Sequence, residues 1–172
     1  MPSAPAPAVL GLDPGSQRTG YAVVVSGPGG RLSLKAAGVV SAPAKEALPQ
    51  RLGAIHQQLS EIIREHQPAE MAVEGVFTAK NSRTALVLGQ ARGVAILAGV
   101  QAGLSIHEYP PATVKKSLVG NGRATKEQVR AMAQRLAGVN GKNLPLDASD
   151  ALALALTHLQ SRRLAATLER LK

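Results

Sequence analysis

The sequence predicts an α/β protein: a five-stranded mixed sheet flanked by helices. Two observations carry this. Residues 8–41 read as three short apolar strands joined by tight breaker-rich turns, DPGSQRTG and GPGGR, which suits an antiparallel meander. From residue 48 onward, helical and strand patterns alternate, which suits parallel pairing through crossovers.

The elements follow in order. AVLGLD, 8–13, is short and apolar enough for a buried strand, and GYAVVVS, 20–26, and residues 32–41 supply two more. Leu48, Leu52, Ile55, Leu59 and Ile62 recur at steps of four and three, one apolar face of an amphipathic helix. EMAVEG, 70–75, is a strand. Residues 81–102 form a long helix capped by Asn81 or Ser82. SIHEYP, 105–110, is a strand stopped by two prolines. PATVKKSLV and TKEQVRAMAQRLAG are helices, the second opened by a Thr125–Gln128 capping box. A last helix starts at LDASD and runs to about Leu171.

A chain of 172 residues with 45% hydrophobic content can build one domain with a real core. We expect residues 1–7 to be a flexible tail and 8–172 a single domain. MPSAPAPA has no basic n-region and no long apolar core, so it does not read as a signal peptide. Gln90, Arg92 and Gln101 interrupt the longest apolar segment, 84–104, which favours a buried or interface helix over a membrane span. The absence of cysteine excludes disulfides, thiolate metal sites and a cysteine nucleophile, and fits a cytoplasmic location. The formal charge of +9 points to a polyanionic partner, nucleic acid ahead of a membrane surface.

The acids are sparse and oddly placed. The chain has three aspartates, Asp13, Asp147 and Asp150, all in apolar settings. Asp13 ends the first strand and Glu74 ends the strand MAVE, while Asp147 and Asp150 open the last helix on one face. Singly, Asp13 could start a turn before Pro14, Asp147 could cap its helix, and Asp150 could answer the helix dipole. A glutamate at the end of an apolar central strand has no packing explanation. Together the four would form a self-repelling cluster that calls for hard divalent cations with oxygen ligands, Mg²⁺ or Mn²⁺ first. Two such ions about 3.5–4 Å apart can hold both the attacking and the leaving oxygen of a phosphodiester. The four histidines show no zinc-ligand spacing, so no zinc site is expected. The other glutamates read as ordinary surface residues. Outside the cluster, twenty basic residues face seven acids, a balance of +13 that suits a grip on a phosphate backbone.

Three motifs, GLDPGSQRTGYAVV, VEGVFTAKNSRTALVLGQARGVAI and DASDALALALTH, with VKKSLVGNGRATK between the last two, closely resemble the RuvC family of bacterial Holliday junction resolvases. The likeness runs from about Leu10 to Leu159. It implies an RNase H-like fold and a homodimer that binds four-way junction DNA and nicks two strands symmetrically. Two Mg²⁺ or Mn²⁺ ions per site, 5′-phosphate and 3′-hydroxyl ends, and a junction-migrating helicase as partner are implied as well.

By position, Asp13, Glu74, Asp147 and Asp150 match the family's four catalytic, metal-holding carboxylates. Phe77, the sole phenylalanine, could be a core residue. The resemblance gives it a stacking role on an unpaired base at the junction centre. Lys115 and Lys126 match lysines near the family's active site. Of these, Lys126 is expected to stabilise charge on the scissile phosphate. Lys80, Arg83, Lys115, Lys116 and Arg123, with Arg92, are candidate backbone contacts. The helix 81–102 is expected to pair with its twin across a two-fold dimer. The opening DPGSQRTG alone would also suit an actin-like ATPase, and a nuclease acting on structured RNA would share the fold.

Overall fold

The computed structural model describes residues 7–75, 81–139 and 143–171. Five strands, β1 (Val9–Asp13), β2 (Arg18–Ser26), β3 (Leu32–Ser41), β4 (Glu70–Glu74) and β5 (Ser105–Tyr109), form one sheet in the order β3-β2-β1-β4-β5. β1, β2 and β3 pair antiparallel, and β1, β4 and β5 pair parallel. The mixed sheet agrees with the meander-then-alternation pattern of the sequence. Of the expected tail 1–7, residues 1–6 lie outside the described residues.

The helices are α1 (Leu48–His66), α2 (Ser82–Gln101), α3 (Pro111–Val119), α4 (Lys126–Leu136) and α5 (Leu146–Arg170). Local chemistry sets their starts. Asn81 caps α2 by accepting from the backbone N–H groups of Arg83 and Thr84. Thr125 and Gln128 form the reciprocal capping box of α4. Gly120 closes α3 in the left-handed conformation, φ 79°, which costs a glycine nothing.

Each face of the sheet carries its own core, because alternate strand residues point to opposite sides. Leu10, Leu12, Val23, Met71 and Val73 pack with Ile55, Leu59 and Ile63 of α1 and Ala95 and Ala98 of α2. Val9, Ala22, Val24 and Ala72 pack on the other side with α3, α4 and the buried half of α5. From Ala148 to Leu159 α5 is buried almost all round, whereas its end from Ser161 onward is exposed. That explains its hydrocarbon sequence: α5 is the central helix of its layer.

α2 is long and apolar enough to cross a membrane by length and composition. It lies instead against α1 and the sheet edge, with buried Ala91, Ala95, Ala98 and Gly99 on one side. Its opposite side leaves Leu86, Leu97 and Val100 about half exposed or more, at 64%, 47% and 55%.

Candidate active site

β1 and β4 run parallel with Leu12 beside Val73, so their last residues, Asp13 and Glu74, end side by side. Period-2 alternation puts both acids on the face of Val9, Gly11 and Ala72, which is the face covered by α5. α5 meets them with its first turns.

Two glycines let α5 come this close. A Cβ on Gly11 would stand 2.0 Å from the carbonyl oxygen of Ala151, and one on Gly20 would stand 2.0 Å from that of Asp147. Gly20 pairs with Asp13 across β1 and β2. The backbone of α5 therefore rests directly on the sheet beside Asp13, which fixes the distance between helix acids and strand acids.

Asp147 does not cap α5, although it lies in the helix's first turn. Pro145 is the residue before α5, and no side chain caps the helix there. Asp147 bonds Arg18 at 2.9 Å instead. Asp150 is gripped by Arg130, Nε to Oδ1 at 2.9 Å and Nη2 to Oδ2 at 3.0 Å, with Lys126 Nζ 3.6 Å away. The loop after Asp13 is closed by Thr19, whose buried hydroxyl donates to the Gly15 carbonyl.

Asp13, Glu74, Asp150, Lys115 and Lys126 line one small cavity of about 80 Å³, floored by Val114, Val129 and Leu154. Its electrostatics are those of crowded carboxylates with little water. Burial, then the charges of Glu74 and Asp150, push the pKa of Asp13 up to about 7, with Lys126 pulling the other way. Burial also raises Glu74, an effect Lys126 opposes and Asp150 reinforces.

The structure thus gathers Asp13, Glu74, Asp150, Lys115 and Lys126. Asp147 stands at the rim, turned to Arg18, and is not part of the cavity wall. Lys116 faces away, into a separate recess with Thr113, Ser117, Gln160 and Leu164, because neighbouring helix residues point in different directions. Arg83 and Arg123 are exposed on the first turn of α2 and the loop before α4. Arg92 is already engaged: its Nε donates to the Glu74 carbonyl at 3.1 Å and its Nη2 pairs with Glu108 at 2.7 Å. It therefore serves as a brace for the strand that carries Glu74, not as a free cation for DNA. Phe77 and Lys80 lie outside the described residues.

Sequence reasoning missed Arg130 and Arg18. Arg130 was findable, since it follows Lys126 by four residues and shares its helix face. Arg18 was not, because its pairing with Asp147 depends on how α5 crosses β2.

The donor set suits divalent cations. Three acids from β1, β4 and α5 present hard oxygen ligands to one cavity, and burial with the neighbouring carboxylate charges pushes the Asp13 pKa up to about 7. Asp13, Glu74 and Asp150 are the described residues that could hold such ions.

The comparisons with known proteins agree with this geometry. The family profile described as "Crossover junction endodeoxyribonuclease RuvC" matches residues 9–158. The chain belongs to the RuvC family. A RuvC from Solidesulfovibrio magneticus is 50% identical over 156 residues, covering 91% of each chain. RuvC of Thermus thermophilus in complex with a Holliday junction substrate superposes with a TM-score of 0.86 at 33% identity, covering 92% of this chain and 96% of that one. A yeast mitochondrial Holliday junction resolvase shares the fold alone, with a TM-score of 0.62 at 13% identity over 92% of this chain and 82% of that one.

The RuvC match makes the fold RNase H-like and the activity class that of a nuclease. It leaves the actin-like ATPase reading without support. The matched span contains every acid and base of the cavity and ends within α5, so the exposed helix end beyond residue 158 is outside it.

Proposed function

We propose that this chain resolves Holliday junctions in DNA recombination and repair by nicking two strands through metal-dependent phosphodiester hydrolysis. The observation that carries the reading is the convergence of Asp13, Glu74 and Asp150 with Lys115 and Lys126 in one cavity of a RuvC-family fold. The Thermus thermophilus relative, described with a Holliday junction substrate, supports four-way junction DNA as partner.

Asp13, Glu74, Asp147 and Asp150 are the residues we assign to hold two Mg²⁺ or Mn²⁺ ions. When bound, such ions activate water and neutralise charge at the phosphodiester. The protein's own part is positioning. The parallel ends of β1 and β4 fix Asp13 and Glu74, and α5, seated on Gly11 and Gly20, fixes Asp150. Lys126, which lines the same cavity as Asp13, is assigned to bind the scissile phosphate and offset its growing charge. Lys115 guides the backbone into the cavity mouth, and Arg83, Lys116 and Arg123 are candidates for backbone contacts further out. Phe77 is assigned to stack on an unpaired base, and Lys80 to a nearby phosphate.

A homodimer would place two such sites symmetrically on the two equivalent strands of a junction. The apolar stripe Leu86, Leu97 and Val100 on α2 supports this. It also contains Gly89 and Gly93, both with open space around the position of a Cβ, so two helices could approach closely. Resealable 5′-phosphate and 3′-hydroxyl ends, a junction-migrating helicase as partner and a cytoplasmic site of action complete the reading.

Incubation with a synthetic four-way junction, with and without Mg²⁺ or Mn²⁺, tests it. Paired, symmetric, ligatable nicks that require the metal are expected. Cleavage of structured RNA in preference to the junction would overturn the reading.

A further inference from the structure

A second cluster of ligating side chains lies at the other end of the same layer. Glu70 opens β4 on the face that Glu74 closes, about 13 Å further along the strand. His107 sits beside Ala72 on neighbouring β5, so it points to the same side. His158 comes down from α5, two turns past Asp150, and is 2% exposed. The potential ligand atoms of the three all lie within 4.8 Å of one another.

We propose that Glu70, His107 and His158 form a second metal site, selective for zinc or a similar borderline transition ion, that staples α5 to β4 and β5. Two imidazole nitrogens and one carboxylate oxygen form a three-ligand set familiar for zinc, with a fourth position open to water. Magnesium and manganese favour the all-oxygen cavity instead, so the two sites divide cations by ligand softness.

The surroundings fit. His158 Nδ1 is 2.7 Å from the Tyr109 hydroxyl, which can accept a hydrogen bond from Nδ1–H in the tautomer that leaves the Nε2 lone pair for a metal. The His107 and His158 rings lie close together, with centroids 4.2 Å apart. Without a metal, Glu70 Oε2 accepts a hydrogen bond from His158 Nε2–H at 2.6 Å and another from Arg162 Nη1 at 3.0 Å. A metal would replace the first contact by opening the gap to about 3.3 Å, the edge of a tetrahedron with legs near 2.0–2.1 Å. Arg162 sits on an exposed turn and can keep its bond to Glu70 from outside. Spacings of 37 and 51 residues gave no hint of this in the sequence. The register of β4 against β5 and the path of α5 create the site.

The test uses the full chain carrying Asp13→Asn, which weakens the acidic cavity, beside the wild type. Titration with ZnCl₂ is followed by calorimetry and thermal unfolding, and CoCl₂ serves as a visible probe of imidazole ligation. One zinc per chain is expected in both proteins, with Tm raised by about 5–10 °C at zinc a hundred-fold above Kd. The cobalt complex should show the intense visible bands of low-coordinate, imidazole-bound cobalt. His107→Ala and Glu70→Gln should each weaken zinc at least ten-fold and remove those bands, while His107→Ala leaves junction binding unchanged. Zinc binding that survives both substitutions, or no zinc binding by the wild type at micromolar concentration, overturns the proposal.

Discussion

Arg130 holds both oxygens of Asp150, at 2.9 and 3.0 Å, in the planar fork that only arginine offers. Both side chains are mostly sheltered, with 17% and 22% of their surface exposed. Arg130 thus neutralises the helix acid that stands closest to Asp13 and Glu74. Arg130→Gln should destabilise the metal-free protein by about 1–3 kcal/mol, because sheltered Asp150 would keep only its looser contact with Lys126, 3.6 Å away. Added Mg²⁺ should recover part of that loss, measured by urea unfolding with EDTA against Mg²⁺. Lysine at the same position should recover less than arginine, since it cannot bond both oxygens at once.

Asp13 gives the protein a distinct pH dependence. Its carboxyl takes a proton more readily in the folded state, at about 7, than in the unfolded chain, near 3.8. Between those values the folded state binds more protons, so stability from this group falls as pH rises from about 4 to 7. Removing the charge should therefore help the fold. Asp13→Asn is expected to stabilise the metal-free protein at pH 8 by on the order of a few kcal/mol, and to have little effect at pH 4. Unfolding curves at the two pH values, both in EDTA, check this. A destabilised variant at pH 8 would mean that the crowding of acids around Asp13 is misread.

The close seating of α5 makes Gly20 unusually sensitive. Gly20→Ala would drive a methyl group into the Asp147 backbone, which no side-chain rotation can relieve. It should cost about 1–3 kcal/mol or more and shift the helix acids, so junction cleavage should fall further than stability alone accounts for. Gly53→Ala on α1 serves as a control for the loss of a glycine, since open space surrounds its Cβ position and its backbone is helical.

Much of this was legible in the sequence, and the limits have physical causes. The strands, the α2 and α4 caps and the strand-end acids are local: breakers, capping residues and apolar periodicity announce them within a few residues. The pairing of Asp13 with Glu74 followed from parallel strands ending together. By contrast, Glu70 read as a surface residue, yet it is bonded to His158, 88 positions away. Arg92 read as a DNA contact, yet it braces Glu74. Both depend on which face of α2 or α5 meets the sheet, and two glycines remote from those acids decide that for α5.

The exposed stripe on α2 predicts self-association. Leu97→Glu should shift the protein toward monomer, read by sedimentation velocity, without lowering the stability of the monomer by more than about 0.5 kcal/mol. Paired nicking of a junction should then give way to single, uncoupled nicks. A wild-type protein that is monomeric both free and on junction DNA would count against the dimer.

The most direct measurement compares wild type and Asp13→Asn on one synthetic four-way junction, with binding read by gel shift and cutting by denaturing gel in Mg²⁺. The account predicts junction affinity within a few-fold of wild type and no detectable nicks from Asp13→Asn. Nicking by that variant at the wild-type rate would contradict it.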